Sequence, residues 1–165
     1  MSKIKTRIEY SLAVILFVSA ICVNLFYINK FDNISKSASL NALDSKRQDI
    51  QMKAIDHVFS KISNTGQTAI VLIGVLWAIL MSKESNINLA THARMLMFWA
   101  ANLWLGSSYF AYYYSSDKWA SLMFANKTLD LEAPEFGFWM EVQAVNLTWG
   151  LVSVAIVILV GRSKF

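Results

Sequence analysis

Four runs of 18 to 24 residues, 10–28, 65–82, 95–114 and 138–161, carry almost no charge. Their interiors hold no Lys, Arg, Asp or His, and the single acid, Glu141, lies near an end of the fourth run. A bilayer hydrocarbon core of about 30 Å is crossed by about 20 helical residues. Backbone polar groups have no water to bond there, so each run is expected to be a helix. Composition agrees: 56% of residues are hydrophobic and 16% charged, against roughly 25% charged in soluble domains. Mean hydropathy is +0.42. The expected fold is all-α, an integral membrane four-helix bundle forming one domain over residues 1–165. The apolar run 10–28 is long and no clear small-x-small cleavage site follows it, so it is read as a retained span rather than a cleaved leader.

Four spans put both termini on one side and leave outer loops at 29–64 and 115–137. Basic residues are nearly even on the two sides. On the terminal side, however, they crowd the span ends (Lys3, Lys5, Arg7, Lys83, Arg94, Arg162, Lys164). Positive charge close to the spans marks the cytoplasmic face. Both termini are therefore expected in the cytoplasm, with a bacterial inner membrane as the setting. In the first outer loop, Met52, Ile55, Phe59 and Ile62 recur at helical spacing, with Lys46, Arg47, Asp49, Lys53, Asp56 and Lys61 around them. This predicts an amphipathic helix in that loop, ended by a break or bend at Asn64-Thr65-Gly66 before the second span.

Most chemistry is excluded by the residues present. The only histidines, His57 and His92, fall in loops expected on opposite faces, so the axial ligands of a membrane haem bundle are missing. Cys22 is the only cysteine and cannot form an intrachain disulfide. No zinc-ligand spacing, phosphate-binding glycine loop or nucleophile elbow occurs. Nothing resembles a nucleic-acid groove. No catalytic, cofactor or metal site is assigned, and the chain is expected to be non-enzymatic.

What remains are surfaces. Gln143, Asn146 and Gly150 share one face of the fourth run, continued by Ser153. Such a stripe either bonds neighbouring helices or faces a pore. Ser107 and Ala111 make a small-xxx-small pair beside Gly106 and Ser108, and Gly74 and Gly150 suggest close packing in the second and fourth spans. Aromatics crowd 98–114 and continue through Trp119 to Trp139, as in an interfacial belt. Residues 115–126, "SSDKWASLMFAN", are expected to form a short interfacial helix capped by Ser116 or Asp117. The stretch 130–146, "DLEAPEFGFWMEVQAVN", gathers Asp130, Glu132, Glu135 and Glu141 around the only proline, Pro134. Proline suits a first helical turn and carboxylates suit a helix N-terminus, so helix initiation at a membrane surface explains most of it.

In outline the layout is similar to two groups of small bacterial four-span proteins. These are uncharacterised small integral membrane proteins and the inner-membrane immunity proteins against pore-forming bacteriocins of the colicin A type. The latter share cytoplasmic termini and a first outer loop longer than the second. The resemblance assigns no role to any residue here. The expected function is protein–protein interaction in or beside the membrane, as an accessory subunit, sensor or immunity-like factor. The partner-binding candidates are Lys53, Asp56, Trp119, Asp130, Glu132 and Glu135. One alternative is a small homo-oligomeric channel lined by Gln143, Asn146 and Ser153; another is an enzyme, or enzyme subunit, that contacts lipid or quinone. Expected partners are the lipid bilayer and a protein or a second copy of the chain.

Overall fold

In the computed structural model, residues 2–34, 48–82, 91–124 and 134–162 are described. They form four α-helices: α1 (Ser2–Ile34), α2 (Gln48–Met81), α3 (His92–Phe124) and α4 (Pro134–Arg162). Three contain segments long and apolar enough to cross a membrane: Thr6–Lys30 in α1, Phe59–Met81 in α2 and Phe138–Arg162 in α4. The third run, 95–114, is not among them. Its Asn102 and its Trp and Tyr rings lower its hydropathy, and it is the helix the others bury.

α3 packs against all three other helices, most extensively against α4, whereas α1 and α2 make no contact with each other among the described residues. Burial follows from that arrangement. α1 presents a single stripe inward, Glu9, Ala13, Leu16, Ala20 and Tyr27, spaced as successive turns of one helical face. α3 is buried on several sides, at Met97, Phe98, Ala100, Ala101, Trp104, Leu105, Ser108 and Ala111. The main core joins Ala13 and Leu16 of α1 and Met97, Phe98, Ala100, Ala101 and Leu105 of α3 to Ala69 and Leu76 of α2 and Val154 and Val157 of α4; Tyr27 and Ala111 belong to a second cluster with Phe138 and Val142. Outward-facing positions are strongly apolar: Ile4 is 69% exposed and Leu159 71%. Polar Arg94, Gln143, Asn146 and Ser153 are inside. An outer surface this apolar, with polar groups held inside, departs from the usual order of a water-soluble domain.

Two expected breaks are absent. α2 runs unbroken through Asn64-Thr65-Gly66, so the amphipathic helix of the first outer loop is the N-terminal part of α2. The polar side chains stay compatible with helix by bonding back one turn. Thr65 Oγ1 donates to the Lys61 carbonyl (2.9 Å) and Thr68 Oγ1 to the Asn64 carbonyl (2.8 Å). Gly66 is there for packing: a Cβ on it would lie 2.6 Å from Cδ1 of Tyr112. Likewise, α3 carries on to Phe124 without a new cap at Ser116 or Asp117. The short interfacial helix expected there is the last part of α3. α4 does begin at Pro134, where the missing proline N–H has no helical partner to lose.

At the opposite end of α3, Thr91 closes the first turn. Its Oγ1 accepts from the Arg94 N–H (3.4 Å), and its carbonyl accepts from the Met95 N–H (3.0 Å). Thr91→Ala is expected to cost about 1 kcal/mol and Thr91→Ser little. Thermal unfolding followed by helix circular dichroism in detergent measures both.

Candidate functional site

Three places gather polar chemistry. The first is the α4 stripe. Gln143, Asn146 and Ser153 are all buried among the helices of their own chain. Gln143 Nε2 donates to the Ile62 carbonyl of α2 at 2.8 Å, and the Gln143 carbonyl accepts from Ser108 Oγ of α3 at 3.0 Å. Asn24 Nδ2 of α1 donates to Asn146 Oδ1 (3.3 Å) and to its own Ala20 carbonyl (2.8 Å). One face of α4 is thus bonded to each of the other three helices. Ser153 Oγ is buried with no hydrogen-bond partner among the described residues.

The second place was not singled out in the sequence. Glu9 and Arg94 flank their apolar runs and read there as ordinary end charges. Both are buried, Glu9 at 7% exposure and Arg94 at 1%. The guanidinium grips the carboxylate with two nitrogens, Nε to Oε2 at 3.4 Å and Nη2 to Oε1 at 3.3 Å. The arrangement is a two-pronged one, with both contacts longer than the roughly 2.7–2.9 Å of the tightest charge-assisted bonds. It ties α1 to the start of α3. The available signal was positional: Glu9 begins the stripe that continues at Ala13, Leu16 and Ala20.

The third place is a lateral groove of about 500 Å³ between α1, α3 and α4. Tyr27, Phe110, Tyr114, Phe138 and Trp139 supply rings, and Asn24, Asn102 and Ser107 a few polar atoms. Asn102 is held by the Trp77 indole, whose Nε1 donates to Oδ1 at 3.1 Å, and by its own Nδ2 donating to the Phe98 carbonyl at 2.9 Å. At one end lies an ion pair, Lys30 Nζ to Glu141 Oε2 at 3.1 Å. Tyr27 donates its hydroxyl to Glu141 Oε1 (3.3 Å), and the Lys30 ammonium stands 5.8 Å from the Phe138 ring centre. Tyr114 and Trp139 rings meet at 4.8 Å between centres.

Of the partner-binding candidates, Lys53 and Asp56 are exposed on the N-terminal part of α2. Trp119 and Glu135 fall within α3 and α4 by backbone, while Asp130 and Glu132 lie outside the described residues. The acidic cluster as a set is therefore not described. No group of three or more His, Cys, Asp or Glu placed to hold a metal occurs among the described residues.

Among the described residues these features define an all-helical arrangement with three helices long and apolar enough to cross a membrane, organised around a polar-bonded inner helix. Comparison with protein families, curated proteins and solved structures finds no match for it.

Proposed function

We propose that the chain is a non-enzymatic, four-span membrane protein that acts by contact with another protein on the side where α2 begins and α3 ends. The observation carrying this is the overhang of α2. Its apolar segment starts at Phe59, yet the helix starts at Gln48. Those extra turns add roughly 16 Å beyond the hydrocarbon at 1.5 Å per residue. They display Lys53, Asp56 and His57 to solvent. α3 overhangs on the same side, because it runs antiparallel to α2 and continues past Tyr114 to Phe124. Two helices protruding together make a headpiece; Trp119 lies within the α3 overhang by backbone, and Asp130, Glu132 and Glu135 follow it in sequence.

The fourth span in this reading is α3, sheltered by its neighbours, so it needs less hydropathy than a lipid-facing helix. Both termini then face the cytoplasm of a bacterial cell and the headpiece faces outward. Against the channel alternative, Gln143 and Asn146 spend their side chains on helices of the same chain, which leaves little to line a shared axis.

Extraction in mild detergent followed by mass spectrometry of co-purifying proteins tests the reading. A specific partner is expected. The charge swap Lys53→Glu with Asp56→Lys is expected to lower its recovery about tenfold, the effect of losing roughly 1.4 kcal/mol of binding, with chain yield unchanged. Recovery of the chain alone, or a swap that leaves the partner bound, overturns it.

A further inference from the structure

We infer that the groove between α1, α3 and α4 holds one acyl chain of a zwitterionic aminophospholipid, with its headgroup on Lys30 and Glu141. The inference rests on the membrane placement above but not on any protein partner. Size comes first: about 500 Å³ lies within the roughly 300–1,000 Å³ of small-molecule sites, which are mostly apolar with a few polar groups. Length follows from α3. The lining runs from Asn102 to Tyr114, about 18 Å of helix, close to one leaflet of a core about 30 Å thick. A partner helix, about 10–12 Å across with its side chains, needs a wider face along the full depth.

The headgroup assignment comes from charge. Lys30 and Glu141 offer one cation and one anion 3.1 Å apart, both partly exposed. Each touches a residue that lines the groove: Tyr27 bonds Glu141, and Lys30 lies over Phe138. A phosphate meets the ammonium and a primary ammonium meets the carboxylate. A headgroup carrying only negative charge complements Lys30 but is repelled by the Glu141 carboxylate beside it. The pair sits at the ends of the α1 and α4 apolar segments, Lys30 closing the first and Glu141 just inside the second, where headgroups lie.

Gly106 makes the site testable. It lines the groove, and a Cβ there meets nothing within 4 Å. Gly106→Leu therefore starts a side chain in open space and carries it into the groove. Gly74, on α2 and equally open, is the control. The full chain, equilibrated in mixed micelles of equal phosphatidylethanolamine and phosphatidylglycerol, is read by native mass spectrometry. One bound phosphatidylethanolamine per chain is expected, favoured over phosphatidylglycerol, and retained by Gly74→Leu. Gly106→Leu should reduce retention about tenfold, and Lys30→Gln with Glu141→Gln should erase the headgroup preference while a lipid stays bound. A photoactivatable acyl chain on the unaltered protein gives a second readout, with adducts expected at Leu103, Gly106 and Phe110. Equal retention by Gly106→Leu, a preference for phosphatidylglycerol, adducts spread over outward Ile15, Val18 and Leu159, or a protein segment cross-linked in the groove each overturns the inference. Alkaline washing of membranes separates the two levels. A chain that washes off defeats the membrane placement, and one that stays but retains no lipid defeats only this site.

Discussion

Arg94→Ala is expected to destabilise the bundle by about 3–5 kcal/mol, the usual result of removing one partner from a buried ion pair. The substitution strands the Glu9 carboxylate, which is almost wholly out of solvent. It also removes the two bonds that fix α1 to the start of α3. The pair itself is a different matter from the cost of breaking it. Apolar replacement of both members often leaves stability unchanged or improved, so Glu9→Leu with Arg94→Leu is expected to lie much closer to wild type than Arg94→Ala. The double-mutant cycle, measured by unfolding in mixed detergent, should show strong coupling between the two positions. Additive effects mean that water reaches the carboxylate when the guanidinium is gone.

The second large effect is a difference in sign between two glycines eight positions apart on α2. Gly66→Ala is expected to destabilise by about 1–3 kcal/mol, as overpacking does. The added carbon would sit 2.6 Å from Cδ1 and 2.8 Å from Cβ of Tyr112. The Cβ cannot move without shifting the α3 backbone. Gly74→Ala is expected to stabilise by up to about 1 kcal/mol, because alanine is the better helix former and its Cβ meets nothing within 4 Å. Unfolding midpoints of the two variants, taken side by side in one detergent, should straddle wild type. A stabilising shift for Gly66→Ala contradicts the Gly66–Tyr112 contact, and a destabilising one for Gly74→Ala contradicts the open space at Gly74.

Those glycines also mark where sequence reading stops. Gly74 and Gly150 read alike, as small residues in apolar helices, and Gly66 read as part of a break. In three dimensions Gly66 and Gly150 are the close approaches. A Cβ at Gly150 would come within 2.5 Å of Leu105 Cδ2, while Gly74 faces open space. Glu9 and Arg94 are 85 residues apart, and neither has a local motif announcing the other. The Gln143–Asn146 stripe was legible because both residues lie on one helix. That its partners are Ile62, Ser108 and Asn24 was not, since those come from three other helices. The groove has no linear signature at all. Its walls are neighbours only after α1 and α4 settle on α3.

By itself the sequence determined that long apolar helices form; it read four runs as spans, of which three lie in helices apolar enough to cross a membrane. Those properties are sums over consecutive residues, and the length of an uncharged run needs no partner to be read. Tertiary structure alone decided which helix lies inside, which face of each turns inward, and that α2 continues through Asn64-Thr65-Gly66. The rotation of a helix about its axis is set by the surfaces it meets. α1 has nearly uniform apolarity around its circumference, so packing against α3 selects which side is buried.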